Sequence, residues 1–303
     1  MAGLQKIIYY LAQNGIFNMV NETMAKHTSF RIGGMADIVV YPTRRKEICD
    51  LVKICKAEGI PYTVLGNGTN VLISDKGIRG LVIMTDRLSR VTVKDDGTIE
   101  AWAGASLARV ANLAKNYSLT GMEFAYGIPG TIGGAVYMNA GAYNRQMCNI
   151  VWETEYIDDE GNIKILKGEE HNFGYRHSFF KENEGIVTRT FLKLTEGDLL
   201  DIMSKMNEYT TLRNEKQPLD KPSAGSVFKR PEGYFAGKLI EDCGLKGASV
   251  GGAMVSPKHA GFIVNEGGAT CADVCALVAK VKETVKEQFD VELQEEINVI
   301  GEQ

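Results

Sequence analysis

Apolar positions recur at two spacings along the chain, and the two spacings predict different elements. Helical spacing, as in Leu4, Ile7, Ile8 and Leu11, predicts helices at 4–11, 44–58, 106–117, 198–212, 235–243 and 270–288. Alternating or short continuous apolar runs predict strands at 36–42, 62–66, 71–74, 80–85, 89–94, 98–103, 150–158, 162–166, 185–194, 260–265 and 291–300. Helices and strands in this mixture indicate an α+β fold.

Two of the predicted helices carry an apolar face that we expect to lie in a core. Thr43 can cap the helix at 44–58. Its buried face consists of Ile48, Leu51, Val52 and Cys55. On the helix at 270–288, the equivalent stripe is formed by Val274, Leu277, Val278, Val281 and Val285.

At Glu196-Gly197-Asp198 the predicted strands give way to a predicted helix, and the loop 214–222 after this helix carries prolines and lysines. A chain of 303 residues is long enough for two or three domains. We therefore expect three regions, 1–85 with a leading helix, 86–197 and 198–303, with the main boundary before the last.

Composition excludes some classes of function. No run of about 18 apolar residues is present, which argues against a membrane span, and we interpret the N-terminal stretch as a helix rather than a signal peptide. The formal net charge of −4 gives no support for nucleic-acid binding. Between Lys205 and Lys238, however, the chain contains seven Lys or Arg residues and four Asp or Glu residues, which is a local excess of positive charge. That local excess suits an anionic small molecule, and equally a solvated surface.

The cysteines and histidines predict neither disulfides nor a metal site. No C-x-x-C pair occurs, so we expect small core fillers in a reducing cytoplasm at Cys49, Cys55, Cys148, Cys243, Cys271 and Cys275. The four histidines, at 27, 171, 177 and 259, show no metal-binding spacing.

The stretch Gly127–Tyr143 is unusually rich in glycine and alanine. Such a stretch is typical of a helix that starts tightly packed on a sheet, or of a backbone approached closely by a flat ligand. Thr131 lies where a helix would begin, so free amides there could face a diphosphate. Gly66-Asn-Gly-Thr-Asn70 could form an anion nest or an ordinary turn. With G-x-G-x-x-G absent, these features indicate a nucleotide-binding α+β enzyme, and a flavoprotein as one such case.

Seven segments resemble, in order, those of the UDP-N-acetylenolpyruvoylglucosamine reductase (UDP-N-acetylmuramate dehydrogenase) family. They span about 27 to 300 and are His27–Gly34, Leu65–Leu72, Gly127–Gly134, Asn139–Tyr143, Gly174–Lys181, Ser223–Lys229 and Leu293–Ile297. The resemblance implies an FAD-binding region of two α+β subdomains, similar to the vanillyl-alcohol-oxidase group, over 1–85 and 86–197. A substrate-binding domain over 198–303 follows.

The resemblance also implies the chemistry. NADPH would reduce non-covalent FAD, which would reduce the enolpyruvyl ether of a UDP-sugar to a lactyl ether in peptidoglycan precursor synthesis. The enolate formed on the way needs a cationic group at its carboxylate and an acid at its carbon. We expect a cytoplasmic monomer that binds this UDP-sugar, with neither nucleic acid nor membrane as a partner.

The site residues implied by the resemblance fall into three groups. The catalytic group is Arg176 as the carboxylate clamp, Ser226 as the proton donor and Glu296. The cofactor group is Gly66, Asn67, Gly68, Thr69, Asn70, Gly130, Thr131, Gly133, Gly134, Asn139, Gly141 and Ile186. The substrate group is Tyr175, Arg213, Lys229, Lys238 and His259.

Two departures and two alternatives complete the expectation. Only 50 positions separate Arg176 from Ser226, which matches the shorter form of the family without the tyrosine loop. Phe228-Lys-Arg-Pro231 stands where the longer form has Phe-Lys-Asn-Pro, so the residues that read uridine stay unassigned. The alternatives are a flavin-dependent sugar or alcohol oxidase and a non-catalytic UDP-sugar binding protein. No histidine lies between His27 and His171, which excludes a histidyl flavin tether there.

Overall fold

The computed structural model describes residues 2–302. In this part of the chain there are seven α-helices, namely α1 Ala2–Asn14, α2 Arg45–Glu58, α3 Leu107–Asn116, α4 Ile132–Met138, α5 Leu199–Lys216, α6 Ala236–Asp242 and α7 Cys271–Phe289. The strands before α4 are β1 Asn18–Thr23, β2 Met35–Val40, β3 Tyr62–Leu65, β4 Val71–Ile73, β5 Ile78–Met84, β6 Val91–Val93, β7 Ile99–Trp102 and β8 Leu119–Thr120. Those after it are β9 Gly141–Ala142, β10 Arg145–Gln146, β11 Val151–Asp158, β12 Ile163–Lys167, β13 Gly185–Leu192, β14 Thr195–Glu196, β15 Ser223–Ser226, β16 Ser249–Val250, β17 Ala253–Val255, β18 Phe262–Asn265 and β19 Asn298–Ile300.

Three details of the prediction are wrong. The N-cap of α2 is Arg44, and the Glu47 carboxylate accepts hydrogen bonds from the amides of Thr43 at 2.7 Å and Arg44 at 3.1 Å. The strand expected at 291–300 is regular only over β19. Finally, the sequence did not predict eight short strands of six residues or fewer, which offer too few apolar positions to show a pattern, namely β1, β8, β9, β10, β14, β15, β16 and β17.

The described residues divide into two compact units, which interleave along the chain. The first covers residues up to Val20, Asp37–Asn67 and Gly80–Leu212, and the second covers Asn21–Ala36, Gly68–Arg79 and the chain from Arg213 onwards. The three regions expected from the sequence are continuous ranges, and they do not correspond one to one to these two interleaved units. The three-region division therefore stays a prediction.

One sheet associated with the first unit has the strand order β1-β2-β5-β3. Strands β3 and β5 are parallel, with Tyr62 opposite Leu81. Helices α1 and α2 bury their apolar stripes with the side chains of this sheet. The shared core includes Ile7, Leu11, Ile38, Val40, Ile48, Leu51, Val52, Cys55, Leu81 and Ile83.

The other large sheet of the first unit has the order β12-β11-β13-β7-β6 and is antiparallel. The buried Glu155 on β11 accepts hydrogen bonds from Arg45 at 2.6 Å, from Arg189 at 2.8 Å and from the Thr188 hydroxyl at 2.8 Å. Arg189 also bonds Glu100 at 3.0 Å. Burial alone would raise the pKa of Glu155, but these hydrogen bonds outweigh it and hold the pKa below its usual range.

The second unit contains the antiparallel sheet β15-β18-β17-β16 and the parallel pair β4–β19. Helices α6 and α7 share a core with this sheet. The predicted stripe of α7 is confirmed, since all five of its residues are buried. Asp75 caps α7 by accepting from the amides of Cys271 at 2.7 Å and Ala272 at 3.0 Å.

The prediction that cysteines fill the core holds for three of the six. Cys49, Cys55 and Cys271 are buried, whereas Cys148 and Cys275 are exposed. Within residues 2–302, no helix combines the length and the apolar character needed to cross a bilayer. In the same range, no three His, Cys, Asp or Glu side chains are grouped so that they could hold a metal ion.

Candidate active site

The glycine-rich stretch of the first unit starts α4, as predicted, with Thr131 as its N-cap. A Cβ added to Gly133 would lie 3.0 Å from the Cβ of Ala103, so this glycine allows the helix to pack against the end of β7. Gly134 is exposed, and its added Cβ would meet only the Thr131 hydroxyl, at 3.6 Å. The stretch therefore combines close packing on one side with bare backbone on the other.

The amides at the start of α4 are already hydrogen-bonded. Those of Ile132 and Gly133 donate to the carbonyls of Ala105 at 2.9 Å and Ala103 at 2.8 Å. The Gly134 amide donates to the Thr131 hydroxyl at 3.4 Å. The sequence analysis expected free amides at this helix start that could face a diphosphate, and this is wrong because the three amides already have partners in the protein.

The loop Gly66–Asn70 fits the phosphates of a nucleotide cofactor better. A Cβ on Gly66 would lie 2.3 Å from the Thr131 hydroxyl, so only glycine lets the loop pack this closely against the start of α4. Gly68 has a φ of +59°, and its added Cβ would lie 2.3 Å from the carbonyl oxygen of His27. Phosphate oxygens can approach a backbone that has no side chains at these positions. The residues present therefore fit the flavin nucleotide that the sequence predicts.

Asn139, predicted as a cofactor ligand, is 1 % exposed and ends α4 in the left-handed conformation, with a φ of +42°. Its side-chain amide donates to the Gly174 carbonyl at 2.8 Å and to the Gln146 side chain at 3.2 Å. Its side-chain oxygen accepts from the Cys148 amide at 2.9 Å. The side chain is therefore engaged in holding three segments of the protein together.

Arg176 lies on a tight two-residue turn between Gly174 and His177. The Gly174 amide donates to the His177 carbonyl at 3.1 Å, and the His177 amide donates to the Gly174 carbonyl at 3.2 Å. Arg176 has a φ of +54°, a region that residues other than glycine and asparagine seldom occupy. An unfavourable backbone conformation at a candidate catalytic residue is typical of functional sites.

The side chain of Arg176 is half-buried. Its guanidinium lies 4.9 Å from the ring centroid of Tyr175 and donates to the Gly141 carbonyl at 3.4 Å. Tyr175 is half-exposed, as a residue that meets a ligand can be. Ile186, by contrast, is 1 % exposed and packs in the core with Ile157.

In the second unit, Ser226 ends β15 at a bulge. The register of β15 against β18 shifts between Ser223 and Ser226. Gly225, inside the shift, has a φ of +78°. A glycine bulge of this kind changes the direction of the following side chain, and bulges are frequent beside active sites. The Ser226 hydroxyl donates to the Phe228 carbonyl at 3.1 Å.

Glu296 lies on the chain segment next to Ser226. Its amide donates to the carbonyl of Val227 at 2.7 Å, and Glu295 is paired with Phe228. The side chain of Asn70, another predicted cofactor ligand, donates to the Glu296 carbonyl at 3.2 Å. The structure thus places the backbones of two predicted catalytic residues side by side, and Asn70 holds one of them.

His259 lies close to Ser226. The Gly261 amide donates to Nδ1 of His259 at 3.1 Å, and burial lowers the pKa of this imidazole. The ring is therefore neutral, with its proton on Nε2. A Cβ on Gly261 would lie 3.0 Å from the ring and 3.6 Å from the Ser226 hydroxyl oxygen. Glycine at this position keeps the space between the two side chains clear.

The predicted substrate cations have different surroundings. Lys238 is exposed and pairs with Asp242 one turn later on α6, which raises the pKa of the lysine. The main-chain amide of Lys229 donates to the Gln294 carbonyl at 2.8 Å. Arg213 lies in the last turn of α5 and is half-buried.

Sequence reasoning missed three features of these sites. It did not identify the Arg176 turn, the bulge at Gly225 or the internal bonding of Asn139. A glycine one residue before Ser226 was a usable signal for the bulge. The partners of Asn139 lie 7, 9 and 35 residues away in the chain, so no local pattern could have shown them.

Two family descriptions match the chain. "FAD binding domain" matches residues 36–167, and "UDP-N-acetylenolpyruvoylglucosamine reductase, C-terminal domain" matches residues 217–300. The first match agrees with the prediction of FAD as the cofactor. The second match follows the first along the chain, so the flavin-binding part precedes the C-terminal domain of the reductase.

Known relatives match over nearly the whole length. The UDP-N-acetylenolpyruvoylglucosamine reductase of Caldanaerobacter subterraneus is 53 % identical over 93 % of both chains. That of Clostridium perfringens is 48 % identical over 93 % of this chain and 92 % of its own. The crystal structure of the Thermus caldophilus reductase is 35 % identical, with a TM-score of 0.80 over 94 % of this chain and 98 % of that one. The predicted α+β fold is confirmed, and the chain belongs to the UDP-N-acetylenolpyruvoylglucosamine reductase family.

Proposed function

We propose that the protein is an NADPH-dependent, FAD-containing reductase. It converts UDP-N-acetylglucosamine enolpyruvate to UDP-N-acetylmuramate, a step of peptidoglycan precursor synthesis. The observation that carries the proposal is the 53 % identity to a reductase of this name over 93 % of the chain. The protein acts in the cytoplasm as a monomer, and NADPH and the UDP-sugar occupy the site in turn.

Arg176 binds the carboxylate of the enolpyruvyl group. Addition of a hydride to the terminal vinyl carbon places negative charge on the adjacent carbon and, by conjugation, on this carboxylate. A planar guanidinium can bind both carboxylate oxygens and stabilises that charge as it grows. The turn that carries Arg176 fixes its backbone before substrate arrives, which avoids reorganisation during the reaction.

Ser226 delivers the proton to the enolate carbon next to the carboxylate, and Glu296 assists at the enolate. In the structure the Ser226 hydroxyl donates to Phe228, so it must rotate to reach a substrate. The neighbouring backbone of Glu296 supports a joint role in protonation. We assign the proton transfer to Ser226 and assistance at the enolate to Glu296.

The loop Gly66–Asn70 and the exposed backbone at Gly134 would hold the cofactor. Both contain glycines at which the backbone carries no side chain, and at Gly66 an added methyl group would collide with the Thr131 hydroxyl. When bound, the flavin supplies hydride chemistry between NADPH and the vinyl ether. Tyr175, Arg213, Lys229, Lys238 and His259 are the residues that we propose for the UDP-sugar.

Separate measurement of the two half-reactions tests this assignment. In stopped-flow experiments, Ser226→Ala and Glu296→Gln should lower the rate of flavin reoxidation by the enolpyruvyl UDP-sugar by about 10²-fold or more. Flavin reduction by NADPH should remain within about twofold of wild type, because neither group serves that step. Unchanged reoxidation in both variants would remove the catalytic roles of Ser226 and Glu296, whereas a wild-type protein that is not reoxidised by the UDP-sugar at all would favour a non-catalytic UDP-sugar binding protein.

Precipitation with acid tests the state of the flavin. FAD that is bound without a covalent bond leaves the protein on denaturation, so the yellow colour should appear in the supernatant. Colour that stays with the pellet would contradict non-covalent binding and favour the oxidase alternative.

A further inference from the structure

Asn139 occupies a position that its predicted role as a cofactor ligand does not explain. The side chain is 1 % exposed, and both of its polar atoms are hydrogen-bonded to the protein. A side chain so engaged has little capacity left for a ligand. Its shortest hydrogen bond, at 2.8 Å, is to the carbonyl of Gly174, two residues before Arg176.

The end of α4 holds the Arg176 turn at three points. Asn139 binds Gly174 ahead of the turn. The Ser178 hydroxyl donates to the Tyr137 carbonyl at 2.7 Å behind the turn. The guanidinium of Arg176 reaches the Gly141 carbonyl at 3.4 Å. All three contacts join residues 137–141 to residues 174–178.

The turn needs such support because its conformation is unfavourable. Arg176 has a φ of +54°, which costs about 1–2 kcal/mol for a residue with a Cβ. Conformations of this kind persist only where the surrounding structure imposes them. The Asn139 side chain is buried and the bond to Gly174 is partly so, which strengthens this bond relative to one made in water.

We propose that Asn139 is a positioning residue for the reaction, which holds the Gly174–His177 turn so that the Arg176 guanidinium meets the substrate carboxylate. This inference rests on the proposed function of Arg176. Asn139 itself touches neither substrate nor cofactor. Its removal should therefore affect the half-reaction that uses Arg176 and leave the other half-reaction intact.

The test compares Asn139→Asp with a matched control, Asn265→Asp. The first change is nearly isosteric and removes the donor to Gly174, while the acceptor for Cys148 remains. In the control, Asn265 also donates to a carbonyl, that of Phe30, at 3.1 Å and accepts main-chain amides, including that of Gly267 at 2.9 Å. Both variants should lose thermal stability to a similar degree.

Only Asn139→Asp should slow flavin reoxidation by the enolpyruvyl UDP-sugar, by about 10–100-fold, as expected for a misplaced binding group. NADPH reduction and FAD content should match those of the control. In the folded variant, amide hydrogen exchange at Gly174 and His177 should be faster than in wild type. If Asn139→Asp does not fold, Asn139→Gly, which suits the left-handed conformation, takes its place.

A double-mutant cycle separates a positioning role from a merely structural one. If Asn139 acts through Arg176, then Asn139→Asp should add less than about threefold to the loss already caused by Arg176→Met. Losses that multiply would overturn the inference. So would loss of FAD with normal reoxidation of the flavin that remains, because that result would restore the cofactor role of Asn139.

The failure of the inference can be told apart from failure of the proposed function. If Arg176→Met itself reoxidises at the wild-type rate, the function assigned to Arg176 is wrong. If Arg176→Met is slow while Asn139→Asp is normal, only the positioning role is wrong.

Discussion

Replacement of Arg176 by glycine should separate stability from activity. Arg176 combines the proposed carboxylate clamp with a φ of +54°, a backbone conformation that glycine adopts without strain. The substitution therefore removes the guanidinium that we propose binds the carboxylate, and it also removes the strain of the left-handed backbone conformation. We expect an enzyme that is folded, binds FAD and is reduced by NADPH, but is slow to pass electrons to the UDP-sugar.

The expected change in the free energy of unfolding is small because its parts oppose one another. Relief of the left-handed conformation stabilises by about 1–2 kcal/mol. The greater freedom of glycine in the unfolded chain costs about 0.5–1 kcal/mol. Loss of the contact with Tyr175, at 4.9 Å and half-exposed, together with the long bond to the Gly141 carbonyl, at 3.4 Å, costs about 0.5–1.5 kcal/mol. The net change should stay within about 1.5 kcal/mol, whereas loss of a charge-stabilising group lowers reoxidation by about 10²–10³-fold.

Urea denaturation and stopped-flow reoxidation measure the two quantities, with Ser118→Gly as the control. Ser118 has a φ of +55° just after α3 and no proposed role in the site. Glycine there should stabilise the protein by about 1 kcal/mol and leave both half-reactions unchanged. Wild-type reoxidation in Arg176→Gly, or destabilisation by more than about 3 kcal/mol, would refute the reasoning.

Other predictions follow from single features of the structure. Gly225→Ala should destabilise by about 1 kcal/mol and slow reoxidation, because φ is +78° and the bulge directs Ser226, although the added Cβ meets no atom within 4 Å; an unchanged rate in stopped flow would contradict this. The pKa of Glu155 is lowered in the folded state, so its stabilisation is complete above about pH 4.3 and is lost as the pH falls through the lower folded pKa; urea titrations from pH 7 to 3 should show this slope, and Glu155→Gln should flatten it. Burial lowers the pKa of His171. At about pH 6.5, where an ordinary histidine is half protonated, NMR should therefore find the ring of His171 mainly neutral, and a ring that is largely protonated at this pH would disprove the assignment.

The sequence predicts a helix or strand well where its apolar residues are spaced so that they all lie on the face that packs into the core. The stripe of α7 is periodic because one face packs into the core, and every member of it is buried. The segment 291–297 has apolar residues at 291, 293 and 297, the spacing of a strand, yet it forms one isolated bridge between Glu295 and Phe228, with backbone bonds at Gln294 and Glu296 beside it. Partners that lie more than 60 residues away determine whether an extended segment becomes a strand.

Residue type alone did not determine the role of each polar residue in the predicted site. Asn70 and Asn139 match motifs that resemble cofactor loops, but their side chains bind the carbonyls of Glu296 and Gly174. An asparagine amide is chemically suited to a phosphate and to a backbone carbonyl alike. Only the tertiary arrangement distinguishes the two uses, because these partners lie 226 and 35 residues away.

An anaerobic titration of the purified, flavin-loaded protein tests the central claim most directly. NADPH should bleach the flavin absorbance, and addition of an equimolar amount of enolpyruvyl UDP-sugar should restore it in the absence of oxygen. Absorbance that returns only when air is admitted would contradict the reductase function and indicate an oxidase instead.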